Sequence, residues 1–195
     1  MDIVKKNEHL DKRSMFFGFF ISTYGDSLVM GIRRQVKETN DDSISLAKLL
    51  SEISENPELI TRSDFYELYQ DADPFLKALH MQKSFDEFAD PNSSFINGER
   101  VRSDLRKLKE ICLKAENYAD KRVAHWDKTE PSLDFTLEDI FKALDYLGEL
   151  IQRYSVLLFA INLDLHPHPQ YPVFHIFQEP WILSSELLDD DSDSD

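Results

Sequence analysis

Seven apolar residues near the end of the chain, Ile140, Leu144, Leu147, Ile151, Tyr154, Leu158 and Ile161, follow one another at intervals of four, three, four, three, four and three. A strand face repeats every two residues, so this spacing belongs to a helix with one apolar stripe. Such a stripe must be covered by other elements, which makes a bundle the natural architecture. Thr136-Leu137-Glu138-Asp139 reads as the start of this helix, with acids in its first turn.

The same periodicity recurs upstream. Residues 8–37 read as a long first helix, with Leu10, Phe16 or Phe17, Phe20, Tyr24, Leu28, Ile32 and Val36 on one face. Ser45 is placed to cap a short helix whose apolar face is Leu46, Leu49, Leu50 and Ile53, ending at Asn56-Pro57. Residues 62–90 read as helical but interrupted at Pro74, with Asp73 as cap. Asp90 to Ser94 and Asn97-Gly98 read as a loop. Glu99 to Trp126 reads as another long helix, its stripe formed by Val101, Leu105, Leu108, Cys112, Ala115, Ala119 and Trp126. Only 5 glycines occur in 195 residues, against a turn-rich β protein and against glycine-built phosphate loops, while 14 Phe, 7 Tyr and 2 Trp supply a core. The expectation is an all-α, antiparallel bundle of four or five helices over residues 1–165. An irregular arm, residues 166–187, docks on it, and an acidic, disordered tail, residues 188–195, follows.

Several chemistries are set aside. The single cysteine, Cys112, excludes an internal disulfide and a cysteine-based zinc site, and its place on an apolar stripe reads as a core thiol. His166 and His168 flank a proline without a third ligand in view and read as loop histidines. No Walker loop, dinucleotide fingerprint or His-Glu-x-x-His pair is present. The expected site therefore needs neither metal nor cofactor. The amino terminus lacks the pattern of a secretory signal, and the apolar run from Met15 to Ile32 carries a central Asp26. The expectation is a cytoplasmic protein that makes no use of a membrane.

Net charge is −15, which disfavours general binding to nucleic acid. The charge is uneven, however. The last ten residues hold six acids, whereas residues 99–128 hold nine bases against six acids. Within that basic stretch lies Tyr118-Ala119-Asp120-Lys121-Arg122-Val123-Ala124-His125-Trp126-Asp127-Lys128. At about 100° per residue, Arg122 falls about 40° and His125 about 100° from the centre of the apolar stripe. His125 thus sits at the margin of the face, with Lys121 and Arg122 as neighbours. Cations beside an imidazole favour its neutral form, which can accept a proton from a ribose 2′-hydroxyl. An arginine can hold the phosphate and stabilise charge in the transition state. The alternative is a histidine that caps or packs a helix end among solvated cations.

The segment Asp120 to Lys128 resembles the signature of the HEPN superfamily, in particular its abortive-infection U-like branch. Gly31-Ile32-Arg33-Arg34-Gln35-Val36 and Ser43-Ile44-Ser45-Leu46-Ala47-Lys48-Leu49-Leu50 are similar to that branch as well, and so is the order of helices. The resemblance spans roughly residues 8 to 162. It implies a dimeric helical bundle in which two motifs face each other and cleave RNA without metal. Its motif is Arg, four to six residues, then His. His125 matches the histidine, but the arginine places are held by Asp120, Ala119 and Tyr118. Arg122, three residues before the histidine, or Arg33 or Arg34 from the first helix, is left to supply the cation.

Two functions are therefore expected. In the first, the chain is an RNA-directed, phage-defence or toxin–antitoxin protein acting as a homodimer beside an antitoxin-like partner. His125 is the base, with Arg122 and Asp120 completing the catalytic set and Lys121, Lys128, Arg33 and Arg34 holding phosphate. Asp120 or Asp127 orients the histidine or a cation. In the second, it is a non-catalytic helical module binding a partner protein or a nucleotide. The acidic tail then aids solubility or occupies a partner's basic surface; a third idea is that the tail competes with RNA for the basic helix and thereby autoinhibits.

Overall fold

The computed structural model describes residues 15–37, 44–69, 84–124 and 135–165, without the side chains of Phe16, Phe17 and Arg122 to Ala124. The chain divides into two units, Met1–Gly18 with His166–Asp195, and Phe19–Leu165. Of the first unit only the opening turn of a helix is described. The expected arm, acidic tail and break at Pro74 lie outside the described residues.

The elements are α1 (Met15–Val36), α2 (Leu46–Glu55), a 3₁₀ turn (Pro57–Leu59), α3 (Arg62–Glu67), α4 (Gly98–Tyr118), a π turn (Ala119–Ala124) and α5 (Leu137–Phe159). The second unit is an all-α bundle. The starts of α2, α3, α4 and α5 are each satisfied by a side chain that accepts from an otherwise orphan N–H: Ser45 from Lys48, Thr61 from Asp64, Asn97 from Glu99 and Thr136 from Asp139. At Thr136 the bond is reciprocal, because the Asp139 side chain accepts from the Thr136 backbone N–H. Asn97-Gly98 is thus a helix start rather than the expected loop.

α4 and α5 run antiparallel. Asp104, early in α4, accepts from Tyr154 late in α5 (3.0 Å), whereas Lys114, late in α4, pairs with Asp139 at the start of α5 (3.0 Å). The buried side chains are Val101, Leu105, Leu108, Cys112 and Ala115 of α4 and Ile140, Ala143, Tyr146, Leu147, Leu150, Tyr154 and Leu157 of α5. Ile161 is exposed, because α5 stops at Ala160 in the left-handed conformation (φ 54°). Cys112 is fully buried, and desolvation, assisted by Glu116, pushes its thiol up to about 12.

Two stripes differ from expectation. In α2 the buried face is Leu46, Ala47, Leu50, Ile53 and Ser54, with Leu49 on its exposed edge. In α1 only the last turns reach the core, through Val29, Ile32 and Val36. Phe20 and Tyr24 share that periodicity but are about half exposed, along with Phe19 and Ile21. Spacing puts residues on one face; a neighbouring element must still arrive to cover it.

At Gly98 the backbone of α4 lies close against the last turn of α2. A Cβ at this position would lie 2.6 Å from the Ser54 carbonyl oxygen. That carbonyl, in the last turn of α2, is reached instead by the Arg102 guanidinium at 3.1 Å. Gly98→Ala should lower stability by about 1–3 kcal/mol, read as a lower urea midpoint, because the backbone must part to admit the methyl. An unchanged midpoint would show that the contact is soft.

Candidate functional site

The basic motif begins where α4 ends. Ala119 is buried and anchors the first residue of the π turn, which then carries Asp120, Lys121 and Arg122. The expected helix to Trp126 is therefore regular only to Tyr118. The π turn closes its hydrogen bonds one residue later than an α-helix, so the regular step of the helix does not extend through Arg122. His125, Asp127 and Lys128 lie outside the described residues.

The end of α4 is held to the start of α5. Tyr118, the last residue of α4, stacks on Phe135, just before α5, with ring centroids 4.9 Å apart at 28°. The nearby Lys114–Asp139 ion pair draws the same ends together.

Asp120 meets the end of α1. Its Oδ1 accepts from Arg33 Nε and its Oδ2 from Lys37 Nζ, both at 2.5 Å. The three side chains are 34%, 22% and 27% exposed, sheltered but reachable from solvent. The Lys37 hydrogen bond does most to hold the Asp120 carboxyl below the usual carboxylate range; Arg33 adds to it, and burial opposes it. Asp120 is consequently an ionised anchor for cations at neutral pH. Arg34 and Lys121 are exposed beside this cluster in sequence. Arg33 and Arg34 also lie in the last turn of α1, where positive charge is favoured by the helix dipole.

Of the residues singled out in the sequence, Arg33 and Asp120 are brought into contact across 87 positions. Lys37 was not singled out. The available signal was its place one turn beyond Arg33, which sets both on one face of α1.

Another arginine makes a useful contrast. Arg62 donates from Nε to the Ser93 carbonyl, from one terminal nitrogen to Tyr66 Oη and from the other to Asp86, while its face lies 4.5 Å from the Phe85 ring centroid. Every edge of that guanidinium is committed to folding. Arg33, among the described residues, uses Nε alone.

Among the described residues, no helix is long and apolar enough to cross a membrane. No curated protein matches the chain, and no solved structure does either. The family model described as AbiU2, of the HEPN type, matches residues 4–171. With that match running through α1, the π turn and α5, the chain belongs to the AbiU2 family of abortive-infection HEPN-like proteins.

Proposed function

We propose that the chain acts on RNA as a homodimer in phage defence, as a metal-independent endoribonuclease controlled by an antitoxin-like partner. His125 takes the proton of a ribose 2′-hydroxyl as its oxygen attacks the adjacent phosphorus and the 5′-oxygen leaves. Arg122, Lys121 and Lys128 hold and neutralise the phosphate.

The observation that supports this reading is the gathering of cations at the motif. On a chain of net charge −15, Arg33 and Lys37 from α1 pair with Asp120 of the π turn, and the exposed Arg34 and Lys121 adjoin them in sequence. A polyanion is attracted to such a group of cations on an otherwise acidic chain.

A second reading is favoured by the exposed Phe19, Phe20, Ile21 and Tyr24 of α1. In it the chain is a non-catalytic module whose aromatic face engages a partner protein. Incubation of the purified protein with a small-RNA pool in the presence of chelator separates the two. New fragments support the nuclease; intact RNA together with a co-purifying protein supports the module. Light scattering tests the composite dimeric site, which a monomer at micromolar concentration would contradict.

A further inference from the structure

We propose that Arg33 and Lys37, held in place by Asp120, form a binding site for one backbone phosphate of RNA, in which Asp120 is a positioning residue. The identity of the ligand rests on the RNA reading above; the site itself rests on the geometry.

Each of the three groups projects from a fixed point. Arg33 and Lys37 adjoin Ile32 and Val36, which are 0% and 3% exposed, and Asp120 adjoins Ala119, which is 0% exposed. Asp120 takes Nε of Arg33 and one N–H of Lys37. The outer edge of the Arg33 guanidinium, with its two terminal nitrogens, makes no hydrogen bond to the described residues. That edge is the fork that grips two phosphate oxygens in parallel. An ammonium has three donors, so Lys37 retains two. Free long cationic side chains lose rotamer freedom when they bind a ligand; here the carboxylate has already restricted them during folding.

Charge allows the same assignment. Two cations and one carboxylate leave the cluster at +1, which one phosphodiester neutralises. Arg34 and Lys121, both exposed, adjoin Arg33 and Asp120 in sequence and are available to neighbouring phosphates.

Asp120→Asn decides between readings because its two possible effects have opposite signs. The substitution removes a negative charge, so a site that merely attracts RNA would bind more tightly. A site that needs Arg33 aimed would bind more weakly despite the added positive charge. The measurement is fluorescence anisotropy of a short labelled single-stranded RNA with the full chain, over a series of salt concentrations. Thermal unfolding of each variant identifies any that fail to fold. Arg33→Ala and Arg33→Lys should both weaken binding by about tenfold, since lysine keeps the charge but not the fork. Arg33→Ala and Lys37→Ala should each lower the slope of log affinity against log salt by about 0.7. Asp120→Asn should weaken binding by about fivefold. Tighter or unchanged binding by Asp120→Asn, or wild-type affinity in Arg33→Lys, would overturn the proposal.

If the wild type does not bind RNA at all, the RNA reading fails, and inorganic phosphate becomes the probe. A rise in unfolding temperature with phosphate over chloride at equal ionic strength, lost in Arg33→Ala, would retain an anion site for another ligand. No response to phosphate would remove the site as well.

Discussion

Replacing His125 by alanine should abolish cleavage of a small-RNA pool while leaving the affinity for that RNA within about twofold of wild type. The separation follows from the division of labour proposed above. Affinity for a polyanion comes from cations, which in this chain include Arg33, Lys37 and Lys121; the proton of the 2′-hydroxyl needs a base. General-base catalysis contributes about 10²–10⁴-fold, so residual cleavage should fall to about 10⁻²–10⁻⁴ of the wild-type rate or below. The assay is gel analysis of fragments with chelator present, alongside anisotropy on the same RNA. Cleavage at the wild-type rate would remove His125 from the mechanism. Loss of binding together with cleavage would instead make His125 part of the RNA-holding surface.

Tyr154→Ala should cost about 3–5 kcal/mol of stability, the largest single loss expected in the core. The ring is 2% exposed and meets Phe88 edge-on, with centroids 5.1 Å apart at 66°. Its hydroxyl donates to Asp104 Oδ2 at 3.0 Å, and Arg153 pairs with the same carboxylate at 3.3 Å while its guanidinium lies 5.2 Å from the Phe88 ring centroid. Tyr154 therefore ties α5 to α4 and to the segment before α4. Tyr154→Phe keeps the ring and should cost only about 0.5–1.5 kcal/mol, because Asp104 retains Arg153. Urea unfolding of the two variants separates packing from hydrogen bonding; equal losses would mean that the hydroxyl dominates.

The same buried groups set an alkaline limit. Burial raises the Tyr154 hydroxyl, with Asp104 adding to it, and raises Tyr146 and Cys112 to about 12 each. The unfolded chain gives up these protons at lower pH than the folded one. Their contribution is therefore complete below about pH 8.5 and drains away as pH rises towards the folded values. The urea midpoint should hold steady near neutrality and fall steadily above about pH 9; a flat profile to pH 11 would contradict the assignment.

Much of the fold was legible because it is local. Ser45 and Thr136 announce helix starts within four residues, and the α4 and α5 stripes follow from spacing alone. What sequence could not supply was pairing across distance. Nothing adjacent to Asp120 indicates that Arg33 and Lys37 will meet it, since the approach depends on how α1 enters the core through Ile32 and Val36. Phe20 and Tyr24 erred in the opposite direction, because they carry the period of a buried face over a length of helix where the described core does not reach. The Asp104–Tyr154 bond was hidden likewise, as an acid on a helix reads as solvated until a partner fifty residues away is placed beside it.

The π turn gives a physical meaning to counting residues along the motif. In a regular α-helix each added residue swings everything after it by about 100°, so two groups that must cooperate tolerate few spacings. A turn wound i to i+5 takes up one extra residue with little change in where the chain emerges. Ala119–Ala124 occupies the interval before His125, the same interval in which the resembling motif allows four, five or six residues. Length there behaves as slack in a coil rather than as rotation, and a single-residue deletion in this interval is a change of winding before it is a change of reach.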